Sequence, residues 1–302
     1  MTTTSTSTNM STDTTGGGAA VPRPARRGRA AAYAARAAGL LTRNVAIVLL
    51  GLFILAPLAT LGIGAFAETW FFPSALPTHW SLSWWGQVLT TQGLGRSIEL
   101  SVMFALVSTA VSAVVCLPAA YAFGRRRFRG KTAMMMSIFA INAFPKIGLY
   151  IALASLLYAV NLMGSFAGVV VVQSLTTIVT MTWIPAGSFA AVPKPLEEAA
   201  RDAGASPWRV FRTVTLPLAR PGILVAVILS FLSCMDESQG TLLVGVPNYV
   251  TMPVEMYTLI SSFPVSATAV FSVLLTLPSV VLLLVARRYL FDGTLASGYQ
   301  LR

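Results

Sequence analysis

Charge is what this sequence has least of. Of its 302 residues only 10% are charged, against roughly 25% in an ordinary soluble domain, and that scarcity excludes most soluble folds. Histidine occurs once, at His79, and cysteine twice, at Cys116 and Cys234. Both cysteines lie in apolar runs, so neither a disulfide framework nor a metal cluster is on offer. The motifs of phosphate, zinc and acyl chemistry are missing too: there is no GxxxxGKS or GxxxxGKT loop, no HExxH and no GxSxG. The expectation is a chain that is not an enzyme, with no catalytic residue, no metal and no cofactor of its own.

Apolar residues are what it has most of. They make up 55% of the chain, and the mean hydropathy is +0.73, so the bilayer is the solvent to which most of the sequence is suited. Residues 1–43 differ in kind: Ser and Thr, then Gly16 to Gly18, then a basic stretch with Arg23, Arg26, Arg27, Arg29, Arg36 and Arg43. Such a segment cannot bury a core and reads as a mobile tail. The remainder, 44–302, opens with the uncharged run from Asn44 to Ala67, longer than a signal-peptide apolar segment and long enough to cross the membrane. Further spans are read at Leu100 to Gly124, at Thr132 to a turn near Asn161 to Ser165, and from there to Pro193. Gly222 to about Val244 and about Val270 to Ala286 complete six transmembrane helices in an all-α polytopic fold.

Six spans put both termini on one side. Apart from Arg96 and Lys146, every Lys and Arg falls in the tail, in 125–131, in 194–220 or after helix six. With the tail cytoplasmic, this is the asymmetry of the positive-inside rule. The net charge of +11 therefore follows from topology in a cell membrane, and no nucleic-acid partner is needed to account for it.

The cytoplasmic loop 194–220 carries the most information. Leu196, Ala199, Ala200 and Ala203 recur at i, i+3, i+4 and i+7, which predicts a short helix with a narrow apolar face that ends at Gly204. Ser206 is placed to cap a second short helix with Pro207 at its first position. Trp208 either anchors a partner there or packs on its own helix.

Glu198-Ala199-Ala200, then Gly204, then Val214, Leu216 and Pro217 resemble the EAA motif of ABC importer membrane subunits, with Val214 where Ile is usual. The resemblance implies the type I permease fold. It also implies that Glu198, Ala199, Ala200, Gly204, Val214, Leu216 and Pro217 belong to a coupling helix and its flank, docked on a separate ATPase dimer that holds ATP and Mg. A second permease subunit and an extracellular solute-binding protein are the other implied partners. Tyr121-Ala122-Phe123-Gly124, Phe128-Arg129-Gly130-Lys131, Phe144-Pro145 and the end from Arg288 to Gly298 are similar to the maltose-type sugar-uptake branch. Met235-Asp236-Glu237, Asp202 two residues before Gly204, and Ser83-Trp84-Trp85 look more like polyamine permeases; the expectation is carbohydrate uptake, with a polyamine or another small polar solute as the alternative. Deleting residues 2–20 is expected to leave transport intact at equal expression; a large loss would show that the tail has a function.

Three charges fall within the expected spans: Lys146 in helix three, Asp236 and Glu237 in helix five. Fourteen residues along each helix, at 1.5 Å per residue, would put Lys146 and Asp236 at a common depth of roughly 21 Å. Lone charges there are costly, about 2.5–3.5 kcal/mol each on insertion scales, so they should face each other or a wet cavity. The expectation is that Lys146 pairs with one acid while the other lines the solute path. Alternatively, the acids only mark the end of helix five, or all three serve as a proton relay in a secondary transporter.

Overall fold

The computed structural model describes residues 26–71, 73–90 and 93–291. The expectations for residues 1–25 and for the C-terminal match at 293–298 lie outside these. The chain divides into two units, 1–57 and 58–302. Helix α1 (Arg26–Gly64) begins before Asn44, so the basic stretch 26–43, read as part of the tail, is helical. Its large apolar side chains from Leu40 to Leu55 are exposed, as contact with lipid requires.

A two-stranded antiparallel hairpin, β1 (Ala67–Thr69) with β2 (His79–Trp80), follows. It was not anticipated from hydropathy. Helix α2 (Ser83–Thr90) is fastened beside it by indole donors: Trp84 Nε1 to Glu68 O at 3.0 Å and Trp85 Nε1 to Ala65 O at 2.7 Å. The remaining helices are α3 (Leu94–Arg125), α4 (Lys131–Ala140), α5 (Lys146–Ala159), α6 (Phe166–Ala191), α7 (Lys194–Asp202) and α8 (Pro207–Val210). After these come α9 (Leu216–Met235), α10 (Gln239–Gly245), α11 (Met252–Ser262) and α12 (Val265–Phe291).

Among the described residues five stretches are long and apolar enough to cross a membrane: Ala38–Gly64, Leu94–Arg125, Phe166–Ala191, Pro207–Met235 and Val265–Val285. The sixth expected span is a broken one, Lys131–Ala143 and Lys146–Ala159, bent by 105°. The break falls at Pro145, because Phe144 before it is extended (φ −84°, ψ 144°), the conformation that a residue preceding proline prefers. The next turn falls where it was read. Asn161 (φ 58°) and Gly164 (φ 64°) take left-handed conformations there, and Ser165 Oγ accepts from Gly168 N at 3.0 Å to start α6.

Helix five also needs correction. It begins before Gly222 and stops at Met235; Asp236 to Ser238 separate it from α10. The expected second short loop helix is its first turn, since Pro207–Val210 runs through a π-helical turn at Phe211–Thr215 into α9. Ser206 caps it as expected, its Oγ accepting from Arg209 N. Pro217 supplies the reason for the π turn. It has no N–H to return to Thr213 and its ring needs that carbonyl displaced, so the ladder widens and Leu216 N reaches back to Phe211 O.

The centre of the second unit is α3, α6 and α9. Small residues bring the backbones together and short polar side chains bond across them, as between helices in lipid. Thr177 Oγ1 donates to Ser112 Oγ at 2.6 Å. A Cβ at Gly124 would lie 2.7 Å from both Ala186 O and Phe189 Cβ, and one at Gly222 would strike Ser188 Oγ and stand 2.8 Å from its Cβ. Gly222→Leu is therefore expected to destabilise the purified protein by about 1–3 kcal/mol, the scale of overpacking. A lowered thermal midpoint would show it; an unchanged one would mean that α6 and α9 separate easily.

Candidate functional site

The loop builds its site from α7. Arg201, Ala203, Gly204 and Ala205 close that helix with paired bonds, Gly204 N to Arg201 O at 2.8 Å and Ala205 N to Ala200 O at 3.0 Å. This is the Schellman arrangement, which needs a left-handed residue where Gly204 stands. Its φ is +83°, and among the described residues nothing beyond its chain neighbours lies within 4 Å of a Cβ built on it. The apolar face forms as read, and among the described residues most of it is left uncovered: Leu196, Ala199 and Ala203 are exposed, as is Glu198, while Ala200 is half-buried. Val214 lies on the π turn, and Leu216 and Pro217 open α9. The second half of the motif is thus the joint between loop and membrane helix. Trp208 is 69% exposed and stacks on Phe211 at 5.5 Å between ring centroids.

The buried residue of α7 is one that sequence reasoning passed over, Glu197. Its carboxylate receives Arg125 Nη2 from the end of α3 and Thr215 Oγ1 from the π turn, the latter at 2.6 Å. Arg201 stands 3.9 Å away on α7 itself. Burial alone would raise the Glu197 carboxyl. The Thr215 hydroxyl and the two guanidiniums outweigh it and hold the carboxyl below its ordinary value.

The three charges within the spans line one cavity of about 460 Å³, together with Tyr150, Thr176, Thr180, Ser233, Ser238 and Gln239. The common-depth argument does not survive, because Lys146 is the first residue after the break and Asp236 follows the last residue of α9. Among the described residues no ion pair within 4 Å joins Lys146 to either acid; the pairs are Arg125–Glu197 and Arg201–Glu197. Lys146 and Asp236 are exposed and Glu237 is buried.

Glu237 is occupied elsewhere. Its Oε1 accepts from Gly240 N at 2.7 Å, and its Oε2 accepts from Thr241 N at 3.0 Å and from Thr241 Oγ1 at 2.6 Å. It thereby satisfies the free donors at the start of α10. From Thr241 the bonding continues to Gln173 Nε2 at 3.4 Å, and Gln173 Oε1 accepts from Ser108 Oγ at 3.3 Å. A polar row thus links α10, α6 and α3. Gln173 and Thr241 were not singled out beforehand, although a Gln inside Val169 to Val172 and Ser174 is a polar residue where hydropathy leads one to expect none. Lys146 and Asp236 are the charges left facing the cavity, and Tyr150 Oη lies 2.9 Å from Thr176 Oγ1 on its wall. No group of three or more His, Cys, Asp or Glu that could hold a metal occurs among the described residues.

Comparison with known proteins bears on both regions. The family described as "Binding-protein-dependent transport system inner membrane component" matches residues 116–292. A putative ABC transporter permease protein from Streptomyces antibioticus is 31% identical over 226 residues, 74% of this chain and 99% of its own length. The maltose/maltodextrin transport system permease protein MalG of Yersinia pestis is 32% identical, covering 68% of this chain and 69% of that one. The trehalose transport system permease protein SugB of Mycobacterium tuberculosis is 30% identical over 66% of this chain and 74% of its own. Among solved structures, a chain of a bacterial ABC transporter for import of alginate superposes with a TM-score of 0.63 at 18% identity, over 89% of this chain and 99% of that one. The fold is that of ABC importer permeases, and this multi-pass membrane chain belongs to the family of binding-protein-dependent transport system inner membrane components.

Proposed function

We propose that this chain forms half of the translocation path of an ATP-driven importer for a carbohydrate. A second permease subunit completes the path, an extracellular binding protein delivers the solute, and a cytoplasmic ATPase dimer, with its own ATP and Mg, works on α7. The tail and the C-terminus then lie in the cytoplasm with that loop. The observation that carries this reading is α7 itself, a helix whose apolar face is mostly exposed among the described residues and whose end is fixed by a left-handed glycine. Displacing α7 exchanges an inward-open for an outward-open arrangement of the helices, and the solute moves because the two states bind it differently.

The sugar-transport names of the relatives support a carbohydrate. The cavity supports it as well, since hydroxyls from Thr176, Thr180, Ser233 and Ser238 surround one cation and one exposed carboxylate. A polyamine would meet Lys146 as a like charge, which counts against the polycation alternative. The test is a binding screen of the partner binding protein against sugars, polyols and polyamines. A sugar or polyol as the preferred ligand is expected; selective polyamine binding would overturn the substrate class and leave the importer reading in place.

A further inference from the structure

The motif does not explain why a carboxylate is buried at Glu197, one residue before it. Glu197 is the buried residue of α7, with its side chain 8% exposed. The rest of the helix, half-buried Ala200 apart, is exposed. A push on α7 therefore enters the other helices through Glu197 or through the backbone at its two ends.

Three elements meet at that carboxylate. Arg125 reaches it from the end of α3, and Thr215 Oγ1 reaches it from the π turn at 2.6 Å. The same guanidinium donates from Nη1 to Val192 O at 2.8 Å, just past the end of α6. Thus α3, α6, α7 and the beginning of α9 are tied at one point. Of these, α3, α6 and α9 form the centre of the second unit, and Asp236 directly follows the far end of α9. A buried ion pair contributes little net stability but fixes geometry, and losing one partner strands the other. The π turn beside it, with its widened ladder, is where a helix most readily bends.

We propose that Arg125 and Glu197 are positioning residues that latch α7 to the membrane helices. Displacement of the loop then becomes rotation of α9 about its π turn. The latch rests on the importer reading and adds to it the pair of side chains through which the stroke passes.

The test uses the assembled complex in lipid nanodiscs, with Cys116 and Cys234 replaced by Ala and Ser233→Cys introduced on the cavity wall. Its rate of modification by a membrane-impermeant maleimide is compared without nucleotide and with ATP plus vanadate. Without a latch substitution, nucleotide should change the rate by roughly fivefold or more, the lower end of ordinary coupling between sites. In Glu197→Gln the ATPase should still co-purify and hydrolyse ATP while the nucleotide effect disappears. The exchange Arg125→Glu with Glu197→Arg should restore part of it, which loss of folding would not. A nucleotide effect in Glu197→Gln equal to that of the unsubstituted complex would overturn the latch alone. Absence of any effect in the unsubstituted complex would instead contradict the importer reading. If Glu197→Gln does not assemble, Thr215→Val, which removes only the hydroxyl from the carboxylate, must weaken the nucleotide effect, and a full effect there would overturn the latch.

Discussion

Gly204→Val will reach the membrane at normal levels and lose uptake. At φ +83° a β-branched residue carries strain of about 1–3 kcal/mol, and among the described residues no atom beyond its own chain neighbours stands within 4 Å of the new Cβ. The added bulk therefore points away from the chain, toward whatever docks on α7. Strain at the end of an exposed helix does not unfold the α3, α6 and α9 centre, but it does shift the face on which the proposed ATPase docks. Uptake should fall roughly 5- to 140-fold, the rate equivalent of that strain at about 1.4 kcal/mol per decade. Gly204→Asn separates the two causes, because Asn tolerates the left-handed region while still adding bulk. If Asn restores transport, the backbone matters; if it fails like Val, the space outside α7 is occupied by a partner. Normal ATP-coupled uptake in a well-expressed Gly204→Val would argue against docking at this helix.

Lys146→Glu will abolish uptake, and Asp236→Lys in the same chain will restore part of it. The substitution sets a third carboxylate on a cavity that already holds Asp236 and Glu237. Like charges brought together there cost several kcal/mol, so a loss of roughly 100-fold is expected at about 1.4 kcal/mol per decade. Glu237→Lys is not expected to compensate. Glu237 accepts three bonds from Gly240 and Thr241, and its loss unfastens α10 before any charge can be balanced. The measurement is uptake of the solute found in the binding screen, at matched expression. If Lys146→Met and Asp236→Asn both leave uptake and substrate range unchanged, the cavity is not the solute path.

Much of this was legible in the residues because it is local. Gly204 as a helix end, Ser206 as a cap and the turn at Asn161 to Ser165 each follow from what one residue can do with its own backbone. The helix breaks were hidden for an equally local reason. The run from Ile147 is uncharged, so hydropathy averages smoothly there and says nothing of the 105° bend at Pro145. Likewise, α9 and α10 read as one span because the run is apolar again at Leu242 to Val244, after Asp236 to Gln239. Glu197 was missed because its partners are distant: Arg125 is 72 residues away, and the periodicity of Leu196, Ala199 and Ala203 sets Glu197 off the apolar face, where a charge looks solvated. Placing Lys146, Asp236 and Glu237 in one cavity needed only their rarity in apolar sequence. That Glu237 is engaged by α10 needed coordinates, since its donors exist only once the helix has ended at Met235.

The energy source tests the central claim most directly. Vesicles holding this chain with its second permease subunit and ATPase, supplied with loaded binding protein outside, should accumulate solute only when ATP is enclosed. They should go on doing so after a protonophore collapses the proton gradient. Uptake that needs no ATP and stops with the proton gradient would contradict the account, and is the result that a proton relay through Lys146, Asp236 and Glu237 would give.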